Sequence, residues 1–170
     1  MTRVTFIFAT GASWMDSLVT AVTKSQWSHV ALRFDNDDVL LEALAGHGLI
    51  LQPGGKYDGW KPSLTCAKLV SEQTYDEMIY RSRQWAAANI QYGYRTCVAI
   101  GMKELFGQRA GHLALGWLTG SEVETLVCSE VLVNLWRVAV PEFMMGRESR
   151  LVSPDELYQA LTAENLNSQN

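Results

Sequence analysis

The sequence predicts an α+β domain in which an antiparallel sheet packs against helices. Short segments rich in β-branched and aromatic residues are concentrated in the first half of the chain. Helix-start signals and apolar residues at three- and four-residue spacing dominate the second half. A group of strands followed by a group of helices is typical of this fold class. The length of 170 residues suits one domain with its own core, which we place at residues 1–164, followed by a flexible tail at 165–170.

Five strands are predicted in the first half, at residues 3–9, 27–34, 38–44, 49–51 and 65–70. The second and third of these flank the polar turn Asp35-Asn36-Asp37, so we expect them to form a β-hairpin. One helix is predicted between the first two strands, because Ser13 is a good cap residue and apolar residues follow at every fourth position, namely Trp14, Leu18 and Val22. The glycines and proline of residues 46–63 predict a loop-rich segment around the short fourth strand.

Two helices of the second half begin with recognisable cap sequences. Thr74-Tyr75-Asp76-Glu77 is a capping box and predicts a helix that runs to about Ala88. Ser153-Pro154-Asp155-Glu156 supplies a cap, a proline at the first helical position and an acidic third residue. Leu157 and Leu161 are expected to form the buried ridge of that last helix. Periodicity predicts three more helices, at residues 95–106, at residues 112–118 and from Cys128 to Trp136.

Composition excludes several classes of partner. The chain has 14 basic and 18 acidic residues, and no segment carries a basic stripe, so we expect no nucleic acid partner. No uncharged apolar run reaches membrane-spanning length, which predicts no transmembrane segment. The apolar stretch at the N-terminus is too short for a secretory signal, so the cytoplasm is the default location, while signal-independent export and delivery as a phage or effector protein stay open. The sequence does not determine the oligomeric state.

The chain contains three cysteines, Cys66, Cys97 and Cys128, at wide spacing. With no CxxC pair, neither a zinc ribbon nor a disulfide framework is indicated, and we expect no metal and no other cofactor. Cys66 and Cys97 are interpreted as inert buried thiols. Cys128 differs because it begins a helix, where unpaired backbone N–H groups and the helix dipole favour thiolate over thiol. It is the candidate nucleophile.

The β-hairpin supplies a base for this thiol. Its apolar positions that fall on one face are Val30, Leu32, Phe34, Val39, Leu41 and Ala43. Burying that face places His29 and Glu42 together on the opposite face, directly opposite or diagonal to each other, whether the turn has two residues or four. A carboxylate beside an imidazole fixes its tautomer and stabilises the imidazolium. Cys128, His29 and Glu42 are therefore the candidate nucleophile, base and orienting carboxylate, with the Cys128 backbone N–H as oxyanion donor.

The order of these motifs resembles the permuted papain-like cysteine hydrolases, the circularly permuted branch of the NlpC-type superfamily, related to the lecithin:retinol acyltransferase group. The matching segments are Trp27-Ser28-His29-Val30-Ala31-Leu32, Leu41-Glu42-Ala43, Cys128-Ser129-Glu130 and the closing helix entry at residues 151–157. The histidine precedes the cysteine, as in the permuted branch and unlike ordinary papain-like enzymes. The likeness extends over residues 3–161.

The resemblance implies a papain-like fold, a Cys128–His29–Glu42 triad and an acyl-enzyme mechanism at an amide, ester or thioester carbonyl. We expect an amide bond as the target, in a peptide, a peptidoglycan stem peptide or an acylated small molecule. Two alternatives stay open. One is a non-catalytic module that binds a ligand or partner on the same fold, and the other is an acyltransferase for lipid esters, for which residues 97–118 show no clear amphipathic anchor.

Two aromatic residues are candidate substrate contacts, Trp27 because it shares the strand face of His29, and Tyr94 because it forms an aromatic pair with Tyr92 around a glycine. For that pair we favour the competing interpretation, an anchor for a turn. Glu130 is interpreted as a structural residue or a cap for its helix. Four further residues are interpreted as loop or surface groups, namely His47, His112, Arg147 and Arg150.

Overall fold

The structure is a computed structural model that describes residues 1–11, 17, 20–21, 25–59, 63–118 and 125–167. The cap and the three apolar residues that predict a helix after the first strand, Ser13, Trp14, Leu18 and Val22, lie outside these residues.

The first half of the chain forms an open, five-stranded antiparallel sheet. Its strands are β1 (Thr2–Ala9), β2 (His29–Phe34), β3 (Val39–Leu44), β4 (Gly48–Pro53) and β5 (Ser63–Val70). They are arranged in the order β4-β3-β2-β1-β5, with every neighbouring pair antiparallel. All five strands are where the sequence predicts them. β1 is buried along nearly its whole length, because both faces of this inner strand are covered.

Helices dominate the chain after β5, and the α+β class predicted from the sequence is confirmed. In the described part of the chain after β5 they are α1 (Glu72–Ala87), α2 (Tyr94–Phe106), α3 (Gln108–Leu118), α4 (Cys128–Trp136) and α5 (Pro154–Asn167). Two short 3-10 turns lie at Gly54–Tyr57 and Ser149–Leu151, and a small parallel ladder joins β6 (Gln91–Tyr92) to β7 (Thr125–Leu126). None of the described helices is long and apolar enough to cross a membrane.

The cap of α1 differs from the prediction. Ser71, not Thr74, is the N-cap, and its hydroxyl accepts a hydrogen bond from the Thr74 N–H at 3.1 Å. The helix begins three residues early because Ser71 directly follows the last residue of β5 and is itself a good cap.

The cap of α5 agrees with the prediction. Ser153 accepts a hydrogen bond from the Glu156 N–H at 3.3 Å, and the Glu156 carboxylate accepts one from the Ser153 N–H at 2.9 Å, which completes a capping box. Leu157 and Leu161 are fully buried, as expected for the ridge of this helix. The helix continues to Asn167, three residues into the segment for which a tail is predicted.

Both faces of the sheet carry buried side chains, which form two separate clusters. The main core lies between one face and the helices, and it includes alternating residues of β1 and β2 such as Phe6, Phe8, Val30 and Leu32. α4 packs against β2 and β3 on this side. The opposite face carries a smaller cluster of five residues, Ile7, Ala9, Ala31, Leu40 and Tyr57. The alternation of the hairpin therefore sorts its residues onto two faces as the sequence predicts.

The ladder between β2 and β3 ends after its third residue pair. It extends from Phe34↔Val39 to Leu32↔Leu41, although β2 continues to pair with β1 as far as His29. The first three residues of β2 therefore have no ladder partner in β3, and the candidate site lies at this end of β2. The backbone N–H of Val30 donates a hydrogen bond to the sulfur of Cys128.

A close backbone contact ties the β6–β7 ladder to the sheet. The Leu49 N–H donates to the Ile90 carbonyl at 3.0 Å. Gly48, at φ +74°, makes this approach possible, since a Cβ atom there would lie 2.3 Å from the Ile90 oxygen. β7 leads directly into α4, so this contact helps to hold the first residue of α4 against the sheet.

Candidate active site

Cys128 is the first residue of α4, as predicted from the sequence. The helix is strongly apolar, and all but one of its nine residues are buried, so it can only pack deep in the fold. The preceding residue, Val127, has extended backbone angles and provides no side-chain cap. The N–H groups of the first helical turn have no acceptor within the helix, so they can donate hydrogen bonds to groups at the N-terminal end of the helix. The Ser129 N–H donates to the Cys128 sulfur.

The hairpin brings His29 and Glu42 together. The distance between His29 Nε2 and Glu42 Oε2 is 3.0 Å, which is the contact that the strand alternation predicts. Continuing the observed register pairs Ala31 with Glu42, so that Glu42 is diagonal to His29 across the two strands. The turn between the strands has four residues, 35–38.

Glu42 is a buried carboxylate with three partners. The Tyr57 hydroxyl donates to Oε2 at 2.7 Å, and the Lys56 ammonium forms an ion pair with Oε1. Burial by itself raises the pKa of Glu42, but the hydrogen bonds from His29, Lys56 and Tyr57 outweigh it and lower the pKa to about 2. Glu42 therefore carries a negative charge at all physiological pH values.

Sequence reasoning missed Lys56 and Tyr57. They lie in the 3-10 turn that follows β4, within the glycine-rich segment that has no periodicity to interpret. Gly54 allows the turn to pack, because its N–H bonds to the Asp38 carbonyl at 2.8 Å and a Cβ atom there would lie 2.4 Å from the Asp38 side chain. In the sequence, the adjacent glycines Gly54 and Gly55 are the signal that indicates close backbone packing at this turn.

The imidazole of His29 lies between Glu42 and Cys128. Because Nε2 faces Glu42, Nδ1 is the nitrogen left for the hydrogen bond that joins the ring to the Cys128 sulfur. Burial lowers the pKa of His29, but the hydrogen bonds with Cys128 and Glu42 and their negative charges raise it to about 9. Burial raises the pKa of Cys128, and the hydrogen bond and positive charge of His29 together with the Val30 and Ser129 N–H groups lower it below its usual value. Each group thus favours the charged form of the other, a thiolate beside an imidazolium.

Exposure differs along this chain of three groups. Glu42 has no exposed side-chain surface, and Cys128 is 4% exposed, whereas 12% of the His29 side chain is exposed. The carboxylate is thus shielded behind the ring.

Tyr92 and Cys97 also lie near the Cys128 thiol. The Tyr92 hydroxyl is 3.6 Å from the Cys97 sulfur. Burial and the negative charge of Cys128 raise the pKa of both groups, that of Cys97 to about 11. Cys97 is therefore a neutral thiol at physiological pH, in agreement with its interpretation as inert. Tyr92 ends β6, so the β6–β7 ladder places it next to the start of α4.

The two predicted substrate contacts occupy different surroundings. Tyr94 begins α2 and is 46% exposed, with its ring packed edge-to-face on Tyr92 at 5.1 Å between centroids. Trp27 is in the main core against Phe8, and not on the face of His29. The strand alternation does not extend to Trp27, because β2 begins at His29. A substrate-binding role for either aromatic residue stays a prediction.

Glu130 is buried, and its surroundings fit the interpretation as a structural cap. Its carboxylate accepts a hydrogen bond from the Val127 N–H and pairs with Arg150 at 3.4 Å. Burial raises its pKa to about 7 despite these partners. Arg147 and Arg150 are exposed, as their interpretation as surface groups predicts, and about half of each side chain is in contact with solvent. Each also forms an ion pair at its tip, Arg147 with Glu156 at 3.0 Å and Arg150 with Glu130.

The remaining singled-out residues lie away from this arrangement. His47 is exposed in the turn between β3 and β4, His112 is exposed on α3, and Cys66 is buried in the main core. Among the described residues, no group of three or more His, Cys, Asp or Glu side chains is placed to hold a metal ion.

Compared with protein-family models, curated proteins and solved structures, the chain matches none of them. The chemistry open to the site therefore depends on the residues of this chain alone. Those residues join a lowered-pKa thiol at a helix start, an imidazole bonded to it and a buried carboxylate behind the imidazole. Such an arrangement can perform nucleophilic attack on a carbonyl carbon followed by proton transfer to the leaving group.

Proposed function

We propose that the protein is a cysteine hydrolase of the permuted papain-like type that cleaves an amide bond through an acyl-enzyme on Cys128. The observation that supports this most is the continuous hydrogen-bonded series Cys128–His29–Glu42 with the thiol at the first residue of a buried helix. A structural cysteine needs neither a charged imidazole beside it nor a buried carboxylate behind that imidazole. Burying such groups costs free energy, and a series of them is typical of catalytic sites.

The proposed reaction has two steps. In the first, the Cys128 thiolate forms a bond to the carbonyl carbon, and the negative charge that develops on the oxygen is stabilised by the Cys128 N–H. The carbon–nitrogen bond then breaks, and the leaving amine takes a proton from His29. In the second step water attacks the thioester while His29 accepts its proton, which releases the acid and restores the thiolate. Glu42 holds the ring in position and stabilises its positive charge in both steps.

An acyl-transfer probe tests this proposal directly. Incubation with p-nitrophenyl acetate is expected to place one acetyl group on Cys128, detected by peptide mass spectrometry, and to release p-nitrophenol in an initial burst. Cys128→Ala is expected to abolish both signals, and His29→Ala to slow acylation by about 10²–10⁴-fold. Cys97→Ala is the matched control, because this neighbouring thiol is neutral, and it should react like the wild type.

Two results would contradict the proposal. One is acetylation that is spread over all three cysteines and appears only after unfolding. The other is a Cys128 thiol that titrates near the free-cysteine value of about 8.5, which would favour a binding module on the same fold.

A further inference from the structure

The outer face of α2 and α3 carries large apolar side chains in contact with solvent. Trp117 is 85% exposed, Leu113 is 75% exposed and Phe106 is 70% exposed. Tyr94, Val98 and Leu105 on α2 are each about half exposed. We call these six residues the α2–α3 face. Single exposed apolar residues are ordinary on soluble proteins, but a concentration of this kind on two consecutive helices marks an interaction surface.

Helical spacing places five of these six side chains on one face of their own helix, whereas Phe106 directly follows Leu105 and lies about 100° away from it. Leu113 and Trp117 are four residues apart and so lie on one face of α3, while Val98 and Leu105 are seven residues apart on α2. The inner sides of the two helices are buried, where Ala99, Ile100 and Leu115 belong to a hydrophobic cluster separate from the main core. The exposed residues are therefore not needed for the core.

The charges on this face are positive. Residues 94–118 contain three basic residues and one acidic residue, in a chain whose net charge is −4. Arg95 and Arg109 are exposed, whereas Glu104, the one acidic residue, is partly buried and paired with Lys103 at 2.9 Å. Within residues 94–118, the outside of α2 and α3 thus presents aromatic and leucine side chains together with two arginines, and the one carboxylate of this range is ion-paired.

We propose that the α2–α3 face docks onto a lipid bilayer that contains anionic headgroups. The tryptophan, phenylalanine and leucine side chains enter the interfacial layer, and Arg95 and Arg109 contact the headgroups. α2 has 13 residues and α3 has 11, so they lie along the surface and do not cross it. A two-fold dimer through this face would set like charges against each other, whereas an anionic surface attracts Arg95 and Arg109 together. The proposal goes beyond the hydrolase activity and does not depend on it.

Vesicle flotation with the full chain tests the proposal. The wild type is expected to float with vesicles of phosphatidylcholine and phosphatidylserine in equal amounts, and much less with phosphatidylcholine alone. Arg109→Gln should weaken binding about fivefold, from about 1 kcal/mol per basic residue near an anionic surface. The double variant L113S/W117S should weaken it by more than about tenfold, since each side chain loses the free energy of apolar burial.

The matched control is the double variant L69S/Y80S, which removes two exposed apolar residues from β5 and α1. It should bind vesicles like the wild type, and all variants should keep the wild-type circular dichroism because the altered side chains are exposed. Cys128→Ala should also bind normally, which separates docking from catalysis.

Three results would overturn the proposal. These are no binding of the wild type to anionic vesicles, equal losses in L113S/W117S and L69S/Y80S, and a wild-type oligomer or protein complex in sedimentation that L113S/W117S dissociates.

Discussion

Replacing Glu42 by glutamine removes the negative charge that faces the His29 ring while it keeps the shape of the side chain. The carboxylate bonds to His29 Nε2 at 3.0 Å in a buried setting. A hydrogen bond to a charged partner contributes about 1.5–3 kcal/mol, which corresponds to about one to two pH units in the titration of the ring. Burial would then weigh more heavily on the imidazolium, so the pKa of His29 should fall from about 9 by that amount.

The assay is the pH dependence of Cys128 alkylation by iodoacetamide, followed by peptide mass spectrometry. In the wild type, the positive charge of His29 favours the thiolate, so alkylation should begin below the pH at which a free cysteine titrates. In E42Q the rise in reactivity should move to higher pH, because a less stable imidazolium supports the thiolate less. The exposed Glu77→Gln on α1 is the control and should leave the profile unchanged. An E42Q protein that is folded and has the wild-type profile would refute the reasoning, since Glu42 would then have no influence on the ring.

Three further predictions concern stability. Burial raises the pKa of Glu130 from 4.5 to about 7, so the contribution of Glu130 to the free energy of unfolding is most favourable below pH 4.5 and is lost as pH rises through 7. Glu130→Gln does not titrate, so in urea titrations its free energy of unfolding should rise relative to that of the wild type by about 3 kcal/mol between these two pH values. Tyr57→Phe removes a 2.7 Å hydrogen bond to buried Glu42 and should lower the free energy of unfolding by about 1–2 kcal/mol, and an unchanged urea midpoint would contradict it. Gly48→Ala should lower the melting temperature much more than Gly46→Ala. Both glycines have positive φ, but only at Gly48 would a Cβ atom clash with a backbone oxygen. Equal decreases in melting temperature would mean that backbone strain alone accounts for the effect.

Strand alternation is sufficient to predict the pairing of His29 with Glu42 from the sequence. Period-two patterning assigns each residue to a face, and a buried face leaves only one parity for the hairpin. The same logic failed for Trp27, which lies two residues before β2 begins. Alternation has no meaning outside the strand, so the packing of Trp27 against Phe8 was not visible in the pattern.

The sequence does not predict the partners of Glu42, for a different reason. Lys56 and Tyr57 lie in a 3-10 turn whose position depends on close backbone contacts, and such contacts leave only glycines in the sequence. Helix α1 shows a similar limit at a smaller scale. Both Ser71 and Thr74 are suitable caps, and the end of β5 decides between them. Local propensity names the candidates, and tertiary structure selects one.

The short ladder between β2 and β3 has a consequence for how the three groups depend on the rest of the fold. The hairpin that carries His29 and Glu42 is local in sequence, whereas Cys128 comes from a distant part of the chain and meets His29 where α4 packs against the sheet. Contacts between residues far apart in the chain carry a larger loop-closure cost than local ones. Any change that loosens α4 from the sheet should therefore remove the hydrogen bonds from His29 and Val30 and return the Cys128 thiol towards its ordinary pKa.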